Sequence, residues 1–388
     1  MFKDETKLDI SYVPYKLPHR EEELRLLTEF FSSVRQFPGK MAQRVIITGD
    51  VGTGKTVLAQ HFGTDFAHEA KSRGTSLFYV HINCREHRGS LFLIMYQIIS
   101  LFHPNFPKRG YSAEELLHML LQDLDEQNTF IILALDEFDS LIEEEGSDAV
   151  YKLTRLQETR LNKPRRLSLI CILRSMTAIA RLDTSAKSTL QSNVIALKKY
   201  SKPQLMDILN DRVSLAFNPR TVPEESLTLV AELALFEGGN ARFAIELLWR
   251  AGKYADAKGS EVVAPECIRK AGSSIIPVMQ KSELAQLNFH EKLFLLGISR
   301  LFKENQSAHV SLVEAEEAYA VACEEFSVKP HSHTQLWKYL QILMSRGIVR
   351  GEVSGEGSRG RSSVISLPDI PADELEKELA SLLEKRGE

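Results

Sequence analysis

The chain has 388 residues, enough for two or three domains that each bury a core of their own. Apolar residues make up 43 % and charged residues 26 %, a globular balance that excludes disorder as the dominant state. Forty-eight Lys and Arg against 52 Asp and Glu give a net charge of −4, so any contact with nucleic acid must come from a local patch.

The first half alternates short apolar runs with longer helical patterns. Runs at 44–48, 77–82, 130–135, 167–173 and 194–197 are rich in Ile, Val and Leu, as buried parallel strands are. Segments such as 56–72 and 113–126 are long enough for crossover helices. The pattern predicts an α/β domain with three αβα layers and a five-stranded parallel sheet, covering residues 1–197. After Tyr200 the strand signal stops. Amphipathic patterns at 202–217, 224–237 and 241–258 predict a helical domain over 198–278, with Pro203 opening its first helix. The third unit, 279–388, shows helices at 289–302, 311–326 and 334–346. Ser311 and Glu314 have capping-box spacing. Strands are predicted at 348–350 and 364–367, joined by a loop with four Gly and four Ser. Three helices plus a hairpin is the winged-helix arrangement.

Cys84, Cys171, Cys267 and Cys323 are scattered without a CxxC pair, which reads as a reduced, cytoplasmic protein. The start, Met1-Phe2-Lys3-Asp4-Glu5, has no apolar leader pattern. The apolar run 130–135 falls far short of the ~20 residues that span a bilayer, so no membrane partner is expected.

Gly49-Asp50-Val51-Gly52-Thr53-Gly54-Lys55-Thr56 matches the phosphate-binding loop G-x-x-x-x-G-K-[ST], between a predicted strand and a predicted helix. Its glycines let backbone N–H groups turn toward an anion, and the helix N-terminus adds partial positive charge. Val51, Gly52, Thr53 and Gly54 would cradle the phosphates, Lys55 would reach the β- and γ-phosphates, and Thr56 would ligate Mg²⁺. The run 130–135 ends in Asp136-Glu137-Phe138-Asp139, at the strand end where open α/β sheets bind ligands. Asp136 would complete the Mg²⁺ shell, and Glu137 would polarise the attacking water.

With these motifs the sequence resembles an AAA+ ATPase, and more narrowly the archaeal initiator family related to the eukaryotic origin recognition complex. The resemblance spans nearly the whole chain. It begins at Val13-Pro14 and Leu17-Pro18-His19-Arg20-Glu21 and continues through the phosphate loop, Asn83-Cys84-Arg85, Lys108-Arg109-Gly110 and Leu135-Asp136-Glu137-Phe138-Asp139-Ser140-Leu141. It ends in Tyr200, Ile208-Leu209-Asn210-Asp211-Arg212 and Gly239-Asn240-Ala241-Arg242. It implies that the chain binds ATP or ADP with Mg²⁺. The segment with His19 and Arg20 would lie over the adenine, Tyr200 and Arg212 would line the nucleotide site, and Arg242 would be the lid arginine that reaches the γ-phosphate. Two positions depart from the family. Arg174 stands where an Asn aligns the attacking water, and Ser185 stands where an arginine acts on a neighbour's nucleotide. A serine supplies no cationic charge to the transition state, so slow hydrolysis is expected unless Arg181 or Lys187 substitutes, which nothing in the sequence requires.

On a helical wheel of 334–346, Leu336, Leu340 and Leu343 share one face, while Gln335, Lys338, Gln341 and Ser345 share the other. Short polar and basic side chains suit contact with base edges and phosphates. Arg346, Arg350, Arg359 and Arg361 surround or enter the Gly/Ser-rich loop, a composition that suits a wing in a narrow groove. Lys108 and Arg109 lie near a segment that touches DNA in the family. His331 and His333 read as a surface turn with no metal-ligand spacing. The reading is an ATP-binding, nucleotide-switched replication initiator on double-stranded origin DNA. Its protein partners would be a replicative helicase and other initiator subunits, in a prokaryotic cytoplasm at the nucleoid. Two alternatives stay open: a signalling-type ATPase, and a transposition- or clamp-loading-type ATPase, each with a winged helix that mainly binds protein.

Overall fold

The computed structural model describes residues 1–160, 162–190, 193–275, 281–305, 307–353, 363–367 and 370–384. They divide into two compact units, one of residues 13–200 and one of residues 1–12 with 201–388.

The first unit is built on a parallel sheet. Its strands are β1 (Arg44–Thr48), β2 (Leu77–Asn83), β3 (Phe130–Asp136), β4 (Leu167–Leu173) and β5 (Val194–Ala196). Their order across the sheet is β2-β3-β4-β1-β5. β1, β3 and β4 are buried at every position, which is why they read as continuous apolar runs. Alternate residues feed two cores. Val45, Ile47, Ile132 and Ile172 pack with Leu27, Phe31, Leu58 and Phe62 on one face. Ile46, Leu133, Leu135 and Cys171 pack with Ile94, Ile98, Leu117, Leu121 and Leu141 on the other. The predicted three-layer domain is present. The chain leaves β1 through the phosphate loop and leaves β3 through Asp136, so both motifs emerge at the carboxyl ends of the strands.

The second unit combines the helical domain and the winged helix. The helices Lys202–Ala216, Glu224–Phe236, Ala241–Ala257 and Pro265–Ile275 form the first part. The fourth of these was not among the predicted helices. The winged helix contains helices Phe289–Asn305, Leu312–Glu325 and His333–Ser345, and a sheet ordered β6-β8-β7. β6 is Val310–Ser311, β7 is Arg350–Val353 and β8 is Ser363–Ser366. The capping box is formed: Ser311 N donates to Glu314 Oε2 at 2.6 Å, and Glu314 N donates to Ser311 Oγ at 3.3 Å. A further helix, Ala372–Glu384, buries Leu375, Leu379 and Leu383 against Phe289–Asn305.

Two features differ from expectation. The hairpin's first strand begins at Arg350, because Ile348 and Val349 are buried in the turn after Gly347 instead of pairing. Residues 1–12, expected in the first domain, pack on the helical domain. Phe2 packs against Phe217 with ring centroids 4.8 Å apart and the rings tilted by 36°, and Trp249 Nε1 donates to Glu5 Oε1 at 2.7 Å.

Candidate nucleotide site and DNA-facing helix

The loop after β1 turns back on itself through glycines. Gly54, at φ 88°, has Tyr200 Oη 2.9 Å from where a Cβ would stand, so any side chain there meets both strain and a clash. Thr53 Oγ1 donates to Asp50 O at 2.8 Å and fixes the curve. Behind the loop, Arg20 is buried. Its Nε and Nη2 donate to Thr53 O at 3.1 and 3.0 Å, and Nη2 also donates to Lys198 O at 2.7 Å. Its guanidinium lies 4.1 Å from the centre of the Tyr200 ring. Arg20 therefore ties the phosphate loop to the exit of β5, and its donors are directed at protein acceptors. His19, beside it, adopts φ 63°.

Lys55 opens the helix Lys55–Ser72. Its Nζ folds over the loop and donates to Gly49 O at 2.6 Å and Asp50 O at 2.8 Å. Burial pulls its pKa below the usual lysine value, against the pull of Asp136, Asp139 and Asp50. The next residue, Thr56, donates through Oγ1 to Asp136 Oδ2 at 2.6 Å. The same carboxylate oxygen lies 3.3 Å from His81 Nε2, and Asp136 Oδ1 accepts from Glu137 N at 2.8 Å. Burial pushes the Asp136 carboxyl up, but the hydrogen bonds from His81 and Thr56 outweigh it and hold the group below the ordinary range. A hydroxyl and an ionised carboxylate in contact are hard oxygen donors of the kind Mg²⁺ takes when phosphates and waters supply the rest of its shell.

Glu137 stands at φ 48°, ψ 44°, a left-handed conformation that costs a non-glycine residue roughly 1–2 kcal/mol. It caps the helix Phe138–Thr159 and projects its side chain into an open cleft of about 420 Å³. Arg174 follows β4 and faces it: Arg174 Nη2 lies 3.4 Å from Glu137 Oε1. Arg85 Nη1 lies 3.9 Å from Glu137 Oε2. Arg174 N donates to Asp139 Oδ1 at 3.0 Å, and burial raises the Asp139 carboxyl. Ser185 is exposed in the helix Thr184–Leu190.

The structure thus brings together Lys55, Thr56, Asp136 and Glu137 with the loop residues Val51, Gly52, Thr53 and Gly54, and sets Tyr200 and Arg20 beside them. Two neighbours escaped the sequence reading, His81 on Asp136 and Arg85 on Glu137. The signal for His81 is its place two residues before Asn83, whose register partner across β2 and β3 is Asp136.

Arg212 and Arg242 belong to the second unit. Arg212 is buried; Nη1 donates to Lys7 O at 3.0 Å and the guanidinium lies 4.8 Å from the Tyr12 ring, so it holds the N-terminal segment. Arg242 is exposed in the first turn of Ala241–Ala257, after the Asn240 cap.

The helix His333–Ser345 buries Leu336, Tyr339, Leu340 and Leu343. Lys338, Gln341 and Arg346 are exposed and Gln335 is half-buried, so the polar face is the expected one. It also carries Trp337, which the sequence reading did not single out. Arg350 instead lies 3.9 Å over the Phe236 ring of the helical domain. Lys108 and Arg109 are exposed in the turn between helices Leu91–Phe102 and Ala113–Glu126. Arg359 and Arg361 lie outside the described residues. His331 does more than turn the chain: its ring stacks 3.8 Å from that of His290, and Nδ1 lies 2.7 Å from Tyr339 Oη. No helix among the described residues is long and apolar enough to cross a membrane.

A phosphate loop feeding a helix, with an acidic strand end two strands away in a parallel sheet, defines a P-loop domain of the AAA class. Residues 40–177 match the AAA domain family, 206–273 the Cdc6 AAA+ ATPase-type lid domain, and 282–378 the CDC6 C-terminal winged helix domain. The chain is 33 % identical to an ORC1-type DNA replication protein 2 of Sulfurisphaera tokodaii over 97 % of its own length and 91 % of that protein's. It is 35 % identical to the protein of the same description from Saccharolobus solfataricus, over 96 % and 91 % of the two chains. The crystal structure of Cdc6p from Pyrobaculum aerophilum superimposes with a TM-score of 0.86 at 30 % identity, covering 100 % of this chain and 99 % of that one. The Aeropyrum pernix ORC1 protein in complex with DNA gives 0.65 at 28 % identity, covering 100 % and 97 %. This chain belongs to the ORC1/Cdc6-type family of DNA replication proteins. The AAA+ fold with a lid and winged helix, expected from the sequence, is thereby established. The signalling-type and clamp-loading-type alternatives lose their ground.

Proposed function

We propose that the chain is an ATP-binding replication initiator that sits on double-stranded origin DNA and uses bound nucleotide as a slowly hydrolysed switch. The observation that carries this is the loop–Thr56–Asp136 assembly, in a chain whose whole length is similar to ORC1-type DNA replication proteins. Backbone N–H groups of residues 51–54 would hold the phosphates, and Lys55 would exchange Gly49 O and Asp50 O for phosphate oxygens. Thr56 and Asp136 would hold Mg²⁺, which when bound neutralises phosphate charge. Glu137 would accept a proton from the attacking water. Tyr200 and His19 would border the base, with Arg20 supporting the loop. Arg212 would act through the N-terminal segment, and Arg242 is the lid's candidate for the terminal phosphate. Ser185 puts no guanidinium at the position where the family acts on a neighbour's nucleotide, which supports slow turnover.

Lys338, Gln341, Gln335 and Arg346 would face DNA, joined by the arginines at 359 and 361 and by Lys108 and Arg109. The DNA complex of the Aeropyrum pernix protein supports this reading. A helicase and other initiator subunits are the protein partners it implies, in the cytoplasm at the nucleoid. The test is calorimetry with Mg-ATP on the full chain and on Lys55→Ala, beside a duplex-DNA titration of each. Wild type should bind nucleotide and DNA, and Lys55→Ala should lose at least about tenfold in nucleotide affinity, the loss of one charge-assisted contact. Equal nucleotide affinities would refute the site.

A further inference from the structure

The cleft beside Glu137 carries charge of both signs. Arg85, Arg174 and Arg181 line it together with Glu137, Asp139 and Glu143. Two of these cations face the two oxygens of one carboxylate: Arg174 at 3.4 Å from Oε1, and Arg85 at 3.9 Å from Oε2. Arg174 is also anchored, because its backbone N–H is bonded to Asp139 and it directly follows β4, which is locked in the sheet. Glu137 is equally fixed, held in a left-handed backbone conformation at the end of β3. The ion pair therefore joins two rigid points. Its side chains are 55 % and 29 % exposed, so its Coulomb energy is modest, and its effect is one of geometry. A carboxylate must present a free lone pair to take a proton from water at about 2.6–3.2 Å. Here one oxygen is turned toward Arg174.

We propose that Arg174 is a positioning residue that latches Glu137, holding the base out of line with the attacking water. This deepens the slow-switch reading and rests on it. An Asn at this position is neutral and shorter, and it would align water without pairing with the base. Replacement of Arg174 would release Oε1 of Glu137 and leave the longer contact of Arg85 on Oε2 in place.

The experiment measures single-turnover ATP hydrolysis and Mg-ADP affinity on the full-length protein. Arg174→Asn should raise the hydrolysis rate about tenfold or more, a fraction of the 10²–10⁴ that a well-placed general base supplies. Mg-ADP affinity should stay within about twofold, because the diphosphate does not depend on the latch. Arg174→Lys keeps a cation near Glu137 and should remain slow. In Arg174→Asn/Glu137→Gln the gain should vanish. A rate for Arg174→Asn at or below that of wild type overturns the latch, and so does a gain that survives Glu137→Gln. If wild type binds no Mg-ATP, the nucleotide-site reading fails and the latch falls with it. If wild type binds and Arg174→Asn is merely unchanged, the latch alone is wrong.

Discussion

Arg20 separates a residue that touches nucleotide from one that builds the loop. Replacing it with Met keeps most of the apolar stem and removes the guanidinium. Thr53 O then loses two donors in a buried setting, and Lys198 O loses one in a partly buried setting. An orphaned buried acceptor costs about 1–3 kcal/mol, so these two carbonyls together lose about 2–4 kcal/mol. The lost stacking on Tyr200 adds about 1 kcal/mol. For a domain of this size each kcal/mol lowers Tm by about 2–4 °C, so calorimetry of the nucleotide-free protein should show a drop of roughly 6–20 °C. A loop that must be reordered on binding should also weaken Mg-ADP by about tenfold, equivalent to 1.4 kcal/mol. The decisive measurement is the nucleotide-free Tm. A direct ligand of the nucleotide would leave that value unchanged and lower only affinity. A nucleotide-free Tm within about 2 °C of wild type, less than 1 kcal/mol, would refute the clamp.

The lowered Asp136 carboxyl makes a pH prediction. A group whose folded pKa is depressed contributes stability that is complete above its ordinary value of 3.8 and is lost as pH falls through the lower folded value. Asp136→Asn should therefore flatten the acid limb of a denaturation series below about pH 4, and an unchanged limb would contradict the assigned hydrogen bonds. On DNA, Arg350 is drawn onto Phe236, so Lys338, Arg346, Arg359, Arg361, Lys108 and Arg109 would be the phosphate partners on the proposed reading. Six neutralised phosphates would give a salt slope of about −5.4. By anisotropy, Lys338→Ala and Arg346→Ala should each reduce the slope by about 1, whereas Arg350→Ala should leave it unchanged.

The parallel strands could be read from the sequence because burial on both faces writes itself as uninterrupted Ile, Val and Leu. The phosphate loop and Asp136 could be read because chemistry fixes their spacing. Elements defined by pairing alone were harder. β6 has two residues, too few for any period, and it exists because Val310 and Ser311 pair with Ile365 and Val364. Ile348 and Val349 are apolar and β-branched, so they pass for a strand, yet their burial serves the turn. The attachment of residues 1–12 to the helical domain depends on contacts such as Glu5 with Trp249, which lie 244 positions apart. The pairing of Arg174 with Glu137 is of the same kind. Counting along the chain located Arg174 at the end of β4, but only the fold shows which carboxylate it meets.

Arg269 decides how the second unit can respond to a ligand. It is fully buried in the helix Pro265–Ile275, yet it serves the winged helix. Its Nε and Nη2 donate to Leu367 O at 3.3 Å and Ser307 O at 2.5 Å, and it lies 4.5 Å over the Phe302 ring. Its own charge is balanced within its helix by Glu266 at 3.2 Å, whose other oxygen accepts from Ala372 N at 3.1 Å. Lys270 pairs with Asp373 at 3.2 Å, and Glu232 is held between Lys202 at 2.7 Å and His309 at 2.9 Å. Breaking a buried, hydrogen-bonded charge from its partners costs about 3–5 kcal/mol. The helical domain and the winged helix cannot rotate apart without exposing Arg269 and orphaning those carbonyls. Any displacement of the helical domain therefore carries the helix His333–Ser345 with it. Substitutions at Arg269 act on that coupling through stability and not through contact with a ligand.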